Sequence, residues 1–84
     1  MNGAVSSPRR PGRIHAARLD TSPRLQAVRD ALLPRGKRLS TRALIEATGY
    51  VAIPAIAAEL RANGVPVVCR PSGRIYYYWI EDTP

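Results

Sequence analysis

The hydrophobic period of this chain changes once, at Asn63-Gly64, and that change limits the folds open to it. Before it, apolar residues recur at helical spacing. After it, Val65, Val67 and Cys69 alternate with Pro66, Val68 and Arg70. Arg74–Ile80 then returns with the same two-residue period and is rich in aromatic and β-branched residues. Pro71-Ser72-Gly73 supplies the turn between the two runs. The pattern predicts a β-hairpin attached to the C-terminal end of a small helical body.

Three helices are legible upstream. Ser22 caps the first, with Pro23 at a first-turn position where its missing N–H costs nothing. Leu25, Val28 and Leu32 form its apolar stripe, with Ala31 and Leu33 beside them, and Pro34-Arg35-Gly36 ends it. Ser40 caps a second helix over Thr41–Thr48, with Ala43, Leu44 and Ala47 facing inward and Gly49 closing it. The third helix spans Pro54–Ala62, with Ile53, Ile56 and Leu60 on one face. The fold class expected is α+β: three helices and a C-terminal hairpin, folded over residues 22–84. Residues 1–21 read instead as a flexible basic arm, because Pro8, Pro11 and Gly12 interrupt any helical period and little apolar surface is available to bury. The same breaks argue against an amphipathic presequence.

Charge points to a class of partner. The 84 residues carry a net +7, and twelve of the thirteen cations are Arg. A guanidinium presents a planar fork of donors that matches phosphate and base edges, so an Arg-rich basic domain is a nucleic-acid candidate. The Arg and Ala content also fits a GC-rich coding sequence, and a basic surface suits an acidic protein equally well. Composition excludes more than it selects. One cysteine forbids an internal disulfide framework, and Cys69 with His15 cannot build a zinc site, so neither metal nor cofactor is expected. No apolar run approaches the roughly 18 residues of a membrane span. Catalysis is not expected either: Glu46 and Glu59 lie on separate helices, no Gly-rich phosphate loop is present, and Cys69 shares the apolar face of Val65 and Val67. A cytoplasmic protein is the expectation, nucleoid-associated if it binds DNA.

The stretches L-S-T-R-A-L-I-E-A-T-G (39–49), I-A-A-E-L-R-A-N-G-V-P-V (56–67) and G-R-I-Y-Y-Y-W-I (73–80) together resemble a winged helix-turn-helix domain. They are similar to the small winged module of biotin-ligase-type repressors and to short phage and mobile-element regulators. The resemblance implies double-stranded DNA as the partner and a role in transcription regulation. In such domains the third helix enters the major groove and the hairpin meets backbone or minor groove. The DNA-binding candidates are Lys37, Arg38 and Arg42 around the second helix, Tyr50 and Arg61 with the third, and Arg70 and Arg74 at the hairpin tip. Arg9, Arg10 and Arg13 flank a Pro-Gly turn in the arm and suit a minor groove. The third helix departs from the pattern: Val51, Ala52, Ile53, Pro54 and Ala55 offer no side chain that hydrogen-bonds a base edge. Affinity is therefore expected to come chiefly from phosphates.

Tyr76-Tyr77-Tyr78-Trp79 must split between two sheet faces. Tyr76 and Tyr78 are expected inward beside Val67. Ile75, Tyr77 and Trp79 are then outward, as a partner or homodimer surface, a platform for unpaired bases, or a ridge covered by the arm or first helix. The alternative to DNA binding is a protein-binding module, such as a phage-encoded inhibitor or adaptor, docking a host protein through an apolar patch of Val51, Ile53, Pro54 and Ala57.

Overall fold

The computed structural model describes residues 17–82. It is an α+β domain of three helices and one three-stranded antiparallel sheet. A 3-10 turn, Leu19–Thr21, precedes α1 (Pro23–Ala31). Then follow β1 (Leu39–Ser40), α2 (Thr41–Thr48), α3 (Ile53–Ala62), β2 (Val67–Ser72) and β3 (Ile75–Ile80), with sheet order β1-β3-β2.

The helix boundaries follow from local chemistry. The Ser22 hydroxyl accepts from the Leu25 N–H at 3.4 Å, and the Ser40 hydroxyl accepts from the Ala43 N–H at 3.0 Å. Each satisfies one of the donors that a helix start leaves free. Gly49 ends α2 at φ 81°, a left-handed conformation that a side chain would disfavour, and its N–H donates to the Ile45 carbonyl. Four residues later α3 begins, turned 86° from α2.

Leu25, Val28 and Leu32 of α1 and its C-terminal turn meet Leu44 of α2 and Ile53, Ile56, Ala57 and Leu60 of α3 in one core. Val67, Tyr78 and Ile80 close it from the inner face of the sheet. Among the described residues, no single helix is long and apolar enough to cross a membrane.

Several sequence expectations change. Folded structure starts before Ser22, because Asn63 holds the segment ahead of α1. Its side-chain amide donates to the Ala17 carbonyl and accepts from the Leu19 N–H, at 2.8 and 2.9 Å. Residues 17–21 thus leave the expected arm and join the body. Leu39–Ser40 is a strand as well as a cap, pairing with Tyr78 and Tyr77 of β3. Ala47 is exposed, and Ile45 packs toward the core in its place. The hairpin turn is Gly73-Arg74, with Pro71 and Ser72 still paired in β2. Pro71 fits there because β2 is an edge strand, where a missing N–H breaks no ladder on its free side.

Candidate nucleic-acid interface

The hairpin register sorts the aromatic run. Val67 pairs with Ile80, Cys69 with Tyr78 and Pro71 with Tyr76. Side chains alternate along a strand, so these pairs share the helix-facing side of the sheet. Tyr78 is buried there, whereas Tyr76 is 53% exposed. The expectation that Tyr76 packs inward fails because the hairpin extends past the helices: the side is right, but no core remains at that height. Burial raises the Tyr78 hydroxyl pKa above the ordinary tyrosine value of 10.0, and the neighbouring Cys69 thiol adds to the effect against a smaller opposing contribution from Thr41. Tyr78 is therefore a neutral core residue.

The outer side holds Val68 opposite Trp79, Arg70 opposite Tyr77, and Ser72 opposite Ile75, with Ser40 on the other flank of Tyr77. Ile75 is half exposed near the tip. Tyr77 and Trp79 are half-buried, so the exposed apolar ridge expected of all three residues is reduced. Part of the reason is Arg38, whose guanidinium carbon lies 4.1 Å from the Trp79 ring centroid. Such a cation-on-ring contact contributes about 0.5–1 kcal/mol at an exposed site. Arg38, Trp79, Tyr77, Arg70, Pro71 and Ser72 together line a shallow groove on this side.

Charge is segregated across the molecule. The ion pairs among the described residues all involve the helices or the turn before them: Arg18–Asp20, Arg24–Glu59, Arg29–Asp30 and Arg42–Glu46. Arg24–Glu59 is the tightest, at 2.7 Å between α1 and α3. Lys37, Arg38, Arg70 and Arg74 have no carboxylate partner among the described residues. Arg70 donates only to its neighbour's carbonyl, that of Cys69. The two remaining acids, Glu81 and Asp82, follow Ile80 at the end of β3 away from the hairpin turn, beside the residues that lead to Lys37: Arg35 donates to the Glu81 carbonyl and Asp82 lies close to Gly36.

The structure therefore brings Arg38 and Arg70 together on the outer side of the sheet, and Arg74 lies in the hairpin turn. Arg42 is exposed on α2 and held only by a surface pair with Glu46 at 3.5 Å. Arg61 stands apart: its Nε donates to the Val67 carbonyl at 2.7 Å, tying the end of α3 to β2. Tyr50 is half-buried against the core. Arg9, Arg10 and Arg13 lie outside the described residues. The apolar docking patch of the alternative reading does not form as expected, since Ile53 and Ala57 are core residues and only Val51 and Pro54 of the four are exposed. Helical periodicity explains the error: Ile53 and Ala57 are one turn apart and share the inward stripe of α3. Sequence reading also missed the exposure of Tyr76 and the Arg38–Trp79 stack. The only signal for the stack was Leu39-Ser40, too short a strand to display alternation.

Comparison with protein-family models, curated proteins and solved structures finds no match to this chain. The functional reading rests on the site.

Proposed function

We propose that this chain is a small winged helix-turn-helix protein that binds duplex DNA as a regulatory or accessory factor, mainly through phosphate contacts. The observation that supports this most is the collection of cations without a carboxylate partner among the described residues, Lys37 and Arg38 just before β1 and Arg70 and Arg74 on the hairpin. The helix geometry agrees with it. Two helices meeting at 86° across a four-residue turn with Gly49 match a helix-turn-helix, whose helices cross at about 90–120°. With α3 in a major groove, the hairpin lies over the adjoining backbone, where Arg70 and Arg74 reach phosphates. The outward positions at the start of α3, Val51, Ala52, Pro54 and Ala55, contribute shape and thymine-methyl contact but no hydrogen bond to a base edge. Binding is then salt-dependent and only modestly sequence-selective.

Fluorescence anisotropy of the full chain on random-sequence duplex DNA across a salt series tests this. The expected result is a dissociation constant of about 1–100 μM at physiological salt, falling steeply as salt is lowered. Arg70→Glu with Arg74→Glu should shrink the salt slope by about one for each phosphate no longer neutralised. Absence of binding at low salt sinks the proposal, as does binding that these reversals leave unchanged.

A further inference from the structure

We infer that the outer side of the sheet also takes the unpaired nucleotides of a single strand. Stacking of a base on Tyr77 and clamping of the adjoining phosphates by Arg38 and Arg70 would hold the strand. This surface shares Arg38 and Arg70 with the one that duplex DNA uses in the proposed function, and differs from it in using the rings between them. Here the occupant is an unpaired strand, and the residues are Tyr77 and Trp79 with the two arginines beside them.

The chemistry of the groove selects the occupant. Its lining combines two aromatic rings, Tyr77 and Trp79, with two guanidinium groups, Arg38 and Arg70, and includes no carboxylate. A nucleotide has the complementary halves, a π-faced base and an anionic phosphate. Single-strand binders join the same two elements, a positively charged track and rings on which successive bases stack. A duplex offers no free base face, so it cannot use the rings. The Arg38–Trp79 stack is compatible with this role. A guanidinium whose carbon sits 4.1 Å from a ring centroid is held by the ring face without using a hydrogen bond, so its N–H donors remain available to phosphate. On the other side of the groove, Arg70 is cross-strand from Tyr77, so a base on that ring lies beside a second cation. Ser40, on the opposite flank of Tyr77, and Ser72, further along the groove, are small polar neighbours.

Charge also disfavours two other occupants. A second copy of the chain placed face to face would bring Arg38 and Arg70 against their own kind. The N-terminal segment carries Arg9, Arg10 and Arg13 and would meet the same repulsion. The surface is positive and aromatic, and the partner it fits is negative and aromatic.

Trp79 is the chain's only tryptophan, so the groove contains its own reporter. The test titrates the full chain with oligothymidylate of about 15 nucleotides, with the matching oligouridylate, and with a duplex of equal length. Labelled-strand anisotropy and Trp79 fluorescence are read together. Oligothymidylate or oligouridylate should bind and quench Trp79 about twofold or more, and the better of the two identifies DNA or RNA as the source. Duplex binding should change the emission several-fold less, because a duplex can reach Arg38 but offers no base face to the rings. Tyr77→Thr keeps a strand-forming residue and removes the ring; it should weaken single-strand binding about tenfold or more while duplex affinity changes less than about twofold. Tyr77→Phe retains the ring and should bind as the parent does, which separates stacking from loss of fold.

Single strands that fail to bind, or bind without changing Trp79, overturn the inference. So does a folded Tyr77→Thr chain that binds them normally. Trp79 emission that responds to protein concentration and not to oligonucleotide would identify a second copy and equally overturn it. Single-strand binding without duplex binding would leave this surface standing and remove the duplex proposal; the converse would do the reverse.

Discussion

On the helical side of the domain, positive charge is answered locally: Arg24 meets Glu59, Arg29 meets Asp30 and Arg42 meets Glu46. On the sheet side, Arg38 rests on an indole, Arg70 on a backbone carbonyl, and Arg74 occupies a turn. Both sides draw on the same residue type. The difference lies in the acids, four of which fall on or just before the helices, where a near neighbour in sequence, an i,i+4 step or a helix–helix contact brings an arginine to each. A net +7 is a property of the chain, but where its cations go unanswered by acids is a property of the fold. That asymmetry makes the sheet side the place to expect a polyanion.

Experiments that set one side against the other sharpen this contrast. The largest effect should come from α3. Ile53→Asp buries an unpaired carboxylate in the core and should unfold the domain, seen as loss of the cooperative urea transition. Val51→Asp, two residues away and 73% exposed, should change stability by less than about 0.5 kcal/mol. If Val51→Asp also leaves duplex binding nearly intact, affinity does not come from the start of α3.

Asn63→Ala should come next, at about 1–3 kcal/mol by urea denaturation, because it leaves the Leu19 N–H without its acceptor and frees residues 17–19. Charge reversal then tests the asymmetry directly. Arg70→Glu with Arg74→Glu should weaken duplex binding about tenfold or more, and the same charge change on the helical side, Arg18→Glu with Arg29→Glu, should cost several-fold less in the same anisotropy assay. Equal losses would mean that only total charge matters.

Tyr78 gives a smaller, pH-dependent effect. Its folded-state pKa is raised, so above the ordinary value of 10.0 the unfolded chain releases a proton that the folded chain retains. Stability contributed by this group is complete below that pH and is lost as pH rises through the raised value. The thermal midpoint of the parent should therefore fall more steeply above about pH 10 than that of Tyr78→Phe. The smallest change belongs to Glu46→Gln, where removing the exposed pair with Arg42 should cost only about 0.3–0.5 kcal/mol.

Much of the fold was legible because local chemistry and burial agree. Ser22, Ser40 and Gly49 mark helix ends by hydrogen bonds that span three or four residues, and those bonds are present at the expected atoms. Leu25, Val28, Leu32, Ile53, Ile56 and Leu60 follow the helical period into the core, and all are buried. The alternation after Gly64 likewise gives the correct two sides of β3. The candidate site was less legible. Its cations could be named from type and position, but which of them are spent on carboxylates or carbonyls, as Arg61 is, depends on neighbours distant in sequence.

The sequence alone determines the three helices and the hairpin of this protein, their order and the overall sign of its charge, because caps, periods and composition are local or summed quantities. Tertiary structure decides what the elements present. Asn63 reaches back 44 residues to fix where the body begins, and a two-residue strand places Arg38 on Trp79. The height of the hairpin above the helices leaves Tyr76 exposed while Tyr78, two residues on, is buried. Each outcome depends on the distance between parts of the chain that no local pattern relates.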